Sequence, residues 1–436
     1  MHRPIERRRI PLVVLALTLS LGQVPAAPGN AVLLTVAQDG SGDYNGRTEQ
    51  PIQNAVDAAR DGGGGTVVVR PGTYVLNRGL DLAGRNNVLV QGEPGVVLKL
   101  APQRIGTVAS DVVAGEKILP LEDASGFFPG ARIEIRATGR TNITPSGKKH
   151  AIPYVMAVVD RVEGNVLHLQ TPLKYAVPRA SELSMVFNAI SVRGRTIDLA
   201  LTGLTIDMNR DEWPLPPLNH TYHCGVFAAG PYSYEKGPTG PPVELFYILD
   251  CTIKNAHHRG IAWYSVCHGK VHGCTIENTH AEGIDLDHFC YYSEVVNNRV
   301  LNCRNIELND ASHCLVTDNT IEDCGVGIVI WQWCKLPDLN VRNLVLGNTI
   351  RGAKGIGIHC RTDVDNNTIR NNTVIGSRGA GIRLEGAENS VAHNTVEGSG
   401  GNAIEILGAG NAVHYNQCEG KIVDTGKGND VVERAP

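Results

Sequence analysis

Residues 280–290 read HAEGIDLDHFC and set two aspartates, Asp285 and Asp287, on either side of one leucine. Alternation of this kind predicts a strand with both carboxylates on one face. Neighbouring carboxylates suit acid–base chemistry, because their repulsion raises one pKa and leaves a proton donor beside an ionised partner. Around a glycosidic bond, such a pair protonates the leaving oxygen while the second acid activates water or attacks. A merely wet strand face would also hold two acids, so the surrounding segments decide between the readings.

Those segments repeat. CTIKN begins at Cys251, CTIEN at Cys274, NRVLN at Asn298, NTIED at Asn319, NTIRG at Asn348, NTVIG at Asn372, NTVEG at Asn394 and NQCEG at Asn416. Successive spacings are 23, 24, 21, 29, 24, 22 and 22, the mark of a solenoid. Inside each unit a second pattern starts at Gly260, Gly283, Asn305, Gly327, Gly357, Gly381 and Ala403, with apolar second and fourth residues. One short strand per turn, stacked in parallel on the next, gives a parallel β-helix. The leading glycine suits a turn with an unusual backbone angle. The recurring asparagine suits a hydrogen-bonded side-chain ladder.

In this frame the third and fifth residues of each GIxxx strand face outward. Coil by coil they are Ala262 and Tyr264, Asp285 and Asp287, Glu307 and Asn309, Val329 and Trp331, His359 and Arg361, Arg383 and Glu385, Glu405 and Leu407. With coils about 4.8 Å apart, Asp285 and Glu307 come within roughly 5 Å, and His359 lies about 14 Å further along. Glu282, Asp285, Asp287 and Glu307 are the expected catalytic carboxylates. Tyr264, His288, Trp331, His359, Arg361, Arg383 and Glu385 are the expected substrate contacts, the aromatics by stacking and the cations by holding carboxylates or hydroxyls. No metal ligand set is assigned. The adjacent His257 and His258 read as turn residues.

The pattern resembles the right-handed parallel β-helix proteins of the pectate-lyase-like superfamily. DGSGDY at Asp39, PIQNAVDAA at Pro51 and GGTVVVRPGTY at Gly64 are similar to the opening of many of them. There a short helix caps the end of the solenoid, and the resemblance implies an all-β fold with that cap. THAEGID resembles the NTDGxD motif of polygalacturonases, with Glu282 in place of the catalytic Asp and Asp285 matching the second. The GHG of those enzymes is GVG here, so Val326 replaces the histidine, and HCR (His359, Arg361) stands in the register of their RIK. GIDLDH is also similar to the GFDPHD of mannuronan C5-epimerases, with Asp287 in place of His and His288 in place of the second Asp. The resemblance implies a glycosidic hydrolase, or alternatively a uronate lyase or C5-epimerase. No cofactor is required for the first, and Ca2+ held by Asp285 and Asp287 is an option for a lyase. A non-catalytic carbohydrate-binding or surface solenoid is the reading from another class.

The chain has 436 residues, 49 glycines and 5% aromatics, which suits turn-rich β structure. Its net charge of -4 gives no basic excess for nucleic acid. Residues 1–26 pair a basic start with a short apolar run and small residues, the pattern of a cleaved secretory signal. A secreted or periplasmic monomer is therefore expected, acting on polysaccharide and free of membrane after cleavage. All 11 cysteines follow residue 223, with no CxxC spacing, and read mostly as small buried hydrophobes. The expected organisation is cap helix and first coils in 32–103, an inserted β domain in 104–190, β-helix repeats in 191–420 and a tail in 421–436.

Overall fold

The computed structural model describes residues 32–136, 142–143, 149–150 and 154–433. The expected signal segment, residues 1–26, lies outside the described residues. Three long sheets of 15, 11 and 11 strands run along the chain, their strands stacked in parallel from coil to coil. Residues 421–436, expected as a tail, carry two more strands, Ile422–Asp424 and Asp430–Val432, which extend two of the sheets.

The apolar second residues form a continuous internal stack. Ile261, Ile284, Ile306, Ile328, Ile358, Ile382 and Ile404 pair in exact register and are all fully buried. A one-residue slip would turn every one of them outward, so this stack fixes which side chains face away from the core. Asparagines 298, 319, 348, 372, 394 and 416 form the expected ladder, each backbone N–H and side-chain amide donating to the next Oδ1 at 2.9–3.0 Å. A second ladder runs through Asn343, Asn367, Asn389, Asn411 and Asn429 at another bend.

The reason given for the leading glycines is corrected. Gly260, Gly283, Gly327, Gly357 and Gly381 do not have positive φ. They are needed for close approach: a Cβ on Gly327 would sit 2.4 Å from Gly357 O, and one on Gly357 would sit 2.5 Å from Gly381 O. The left-handed positions come just before the ladder asparagines, at Asn297, Asp318, Asn371, His393 and Tyr415.

The helix Glu49–Asp61 buries Ile52, Ala55, Val56 and Ala59 against the first coils. It begins two residues before Pro51, which sits in the first turn where its missing N–H costs nothing. Between Ile105–Thr107 and Glu182–Met185 an antiparallel six-stranded sheet closes over its own core of Leu119, Ile133, Ile135, Val159 and Leu167. Its buried Glu134 accepts the backbone N–H groups of Leu218 and Asn219 at 2.9–3.0 Å. The inserted domain thereby ties down the long loop of residues 208–225, which runs towards the third sheet. Among the described residues no helix is long and apolar enough to cross a membrane.

Candidate active site

Four strands of the third sheet carry the site: Ile261–Tyr264, Ile284–Leu286, Ile306–Asn309 and Ile328–Trp331. Register sets Asp285 directly opposite Glu307, with Ala262 and Val329 on either side. The acids point away from the solenoid core, yet they are not wet: Asp285 is fully buried and Glu307 is 5% exposed. Three loops cover this face. His220 of the 208–225 loop accepts from Arg259. Tyr232 of the 230–242 hairpin stacks on Tyr264, and Tyr234 meets the His288 ring edge-on. Leu336 and Leu339 of the 332–343 loop pack with Phe289 and Cys334.

At the centre stands Arg259, which the sequence reading did not single out. Its Nε donates to Glu282 Oε2 at 2.9 Å and lies 2.6 Å from Asp285 Oδ2, while Nη2 is 3.6 Å from Asp287 Oδ2. The directed hydrogen bond goes to Glu282. Asp285 receives only the charge, and neither of its oxygens has a hydrogen-bond partner. The guanidinium fills the space between Glu282, Asp285 and Asp287, so these residues do not fit the calcium considered for a lyase: the position is taken by a fixed cation. Nη1 also donates to the Tyr264 hydroxyl at 3.1 Å.

Burial and charge split the protonation states of these acids. Burial, joined by the Asp287 charge, pushes Asp285 well above the usual carboxylate range, against the pull of Arg259. Burial and the Glu282 charge push Glu307 up to about 7, opposed by the nearby Trp331 indole. Glu282 goes the other way. Burial would raise it, but Arg259 and Arg304, whose Nη1 donates to Oε1 at 3.0 Å, hold it below its ordinary value. Burial also lifts the Tyr264 phenol well above 10. A cavity of about 420 Å³ opens to solvent with Arg210, His280, Asn302, Arg304 and Lys354 in its wall; none of the four acids lines it, and Arg304 links it to Glu282.

Of the expected contacts, Tyr264 and His288 join the acids. His288 Nδ1 donates to Asp310 Oδ2 at 2.5 Å, and its Nε2 lies 3.2 Å from Asp287 Oδ1. Trp331 also reaches the acids through its indole beside Glu307, and the remaining contacts do not. Trp331 is half-buried under the Arg361 guanidinium, 5.0 Å from the ring. His359 pairs with Glu385 at 2.9 Å, and Arg383 pairs with Glu405 at 2.6 Å. These last pairs link neighbouring coils and satisfy each other, as a structural ion-pair ladder does. His257 and His258 are not turn residues alone: their Nε2 atoms donate to Trp213 O and Pro217 O, both at 2.7 Å, and anchor the covering loop. Arg259 had a usable signal. Read down the position before each leading residue, the coils give Arg259, Glu282 and Arg304, an alternating charge column.

A family model described as right handed beta helix region matches residues 243–343 and 338–419. Among solved structures, the A-module of the Azotobacter vinelandii mannuronan C-5 epimerase AlgE6 is similar at a TM-score of 0.54 and 13% identity, covering 88% of this chain and 91% of the other. A structure described as XylC in complex with xylose is similar at 0.51 and 11%, covering 93% and 86%. At these identities the likeness is one of fold. No curated protein matches the sequence.

Proposed function

We propose that this right-handed parallel β-helix acts on an acidic polysaccharide and hydrolyses its glycosidic bonds with buried carboxylates. One observation carries the reading: acids on adjacent coils are pushed in opposite directions, Glu307 up to about 7 and Glu282 below its ordinary value. That is the division of labour hydrolysis needs. Glu307 gives its proton to the leaving oxygen as the C–O bond breaks. Glu282 takes the proton of the attacking water, whose oxygen bonds to the anomeric carbon. Arg259 keeps Glu282 ionised and oriented. The cationic wall of Arg210, Arg304 and Lys354 favours a polymer bearing carboxylates or sulfates. The apolar leader in residues 1–26 supports a secreted or periplasmic setting.

A second reading, a uronate lyase or C5-epimerase, is favoured by the same cationic wall, which would neutralise a uronate carboxylate during proton abstraction. The deciding experiment digests pectins, alginate, glycosaminoglycans and neutral glycans with the chain from Ala27 onward. Reducing ends and unsaturated-uronate absorbance are read together. Reducing ends alone, lost in Glu307→Gln, support hydrolysis. Both signals together mean a lyase. Neither signal, with no change in uronate composition, refutes an enzyme acting on these glycans.

A further inference from the structure

One cluster is used by neither reading. Asp310 follows the Glu307 strand and stands opposite His288 of the coil before, and the next coil brings Cys334 onto the same point from the 332–343 loop. His288 Nδ1 lies 2.5 Å from Asp310 Oδ2 and 3.9 Å from Cys334 Sγ. Ligand atoms of all three lie within 4.8 Å of one another, and all three residues are buried. We propose that His288, Asp310 and Cys334 form a binding site for one zinc-class divalent ion, independent of any glycan chemistry.

Donor chemistry sets the class. One imidazole, one thiolate and one carboxylate match the ligand types of zinc and exclude the all-oxygen shell of calcium or magnesium. A neutral imidazole with two anionic ligands also balances a divalent cation, which suits a buried position. The surroundings are those of a built site. His288 Nε2 faces Asp287 Oδ1 at 3.2 Å, a carboxylate partner that fixes the ring of a ligating histidine once Nδ1 exchanges its hydrogen for the ion. Asp310 Oδ1 accepts the backbone N–H groups of Trp333 and Cys334 at 2.9 and 3.0 Å, and Oδ2, which shares the Cys334 N–H at 3.1 Å, faces the cluster. Phe289, Leu336, Leu339 and Tyr232 wall it from solvent.

In the ion-free protein, the hydrogen between His288 and Asp310 bridges the gap that the ion takes. With metal–ligand bonds near 2.1 Å, tetrahedral geometry places nitrogen and oxygen about 3.4 Å apart. Binding therefore spreads this pair by about 1 Å and displaces the bridging hydrogen. Ligation takes the Cys334 sulfur as thiolate, so binding also expels a proton. A cysteine nucleophile is the poorer use of these groups, because His288 Nδ1 is already committed to Asp310.

The test uses the full chain, stripped with chelator and titrated with Co2+ and then Zn2+. One Co2+ per chain with a thiolate-to-cobalt charge-transfer band is expected. Zn2+ should bleach the band and raise the unfolding temperature. Cys334→Ala should lose the band and the thermal shift, and Cys418→Ala should keep both. Should Cys334→Ala fail to fold, zinc-edge X-ray absorption of the wild type decides, with one sulfur at about 2.3 Å among nitrogen and oxygen ligands expected. No band in the wild type, a band that survives Cys334→Ala, or a shell with no sulfur or more than one overturns the proposal.

Discussion

Replacing Glu307 by Gln should abolish activity and, at high pH, make the protein more stable. Glu307 is buried, and its carboxyl is pushed from 4.5 up to about 7. Between these pH values the folded state holds a proton that the unfolded chain has released. Stability therefore falls as pH rises through this window, and above about 7 the full penalty of a buried carboxylate remains. A rise from 4.5 to about 7 corresponds to roughly 3 kcal/mol. Glutamine imitates the protonated acid, and its amide oxygen can still accept from Asn305 Nδ2, now 3.2 Å from Oε2. Urea unfolding at pH 8 should thus show Glu307→Gln more stable than wild type by up to about 3 kcal/mol, the gain fading to nothing near pH 4.5. The comparison at each pH cancels the titrating groups that do not interact with Glu307. Loss of a general acid should meanwhile cost about 10²–10⁴-fold in turnover. A variant that is less stable at both pH values, or a difference that does not change with pH, would refute the reasoning.

Arg259→Met removes the cation shared by three buried acids and should cost about 3–5 kcal/mol at pH 8. In urea melts this loss should shrink towards pH 4, because Glu282, held low by Arg259, contributes stability only while it is ionised. Asn348→Ala strips the ladder of an acceptor used by both Asn319 amides and a donor used by Val316 O. A loss of about 2–4 kcal/mol should follow in the same assay, with proteolytic nicking concentrated in the coils around it. Burial holds His257 down to about 4 and His220 down to about 3, and lowers His223 and His258 as well. They are folded in neutral form, so the stability they provide is present above about 6.5 and is lost as pH falls towards 4. Hydrogen exchange in residues 213–223, corrected for intrinsic rate, should quicken over that range before the coils respond; uniform exchange throughout would count against the histidine anchor.

The coils could be read in the sequence because their inward residues repeat. Ile261 to Ile404 name one face, Asn298 to Asn416 name one bend, and both follow from a period that any stacked strand must keep. The grouping of Glu282, Asp285, Asp287 and Glu307 followed from the same register. Their burial did not, because the cover comes from segments with no period. The 208–225 loop is held by Glu134, 84 residues before Leu218 and in another domain, so no local pattern could report it. Burial then changed the chemistry more than register did, since desolvation is the first cause of the rise at both Asp285 and Glu307. Yet the interruptions left a trace. The largest spacing between repeats, 29 residues from Asn319 to Asn348, spans the loop that carries Cys334 onto His288 and Asp310. Excess length in one coil has to go somewhere, and a loop leaving the third sheet can only fold back over the face beside it or stand in water. Leu336 and Leu339 give it an apolar underside that packs with Phe289 and Tyr232, so here it folds back. In a solenoid of this kind the repeats position the polar face, and the breaks in the repeat decide which part of that face is desolvated enough to do chemistry.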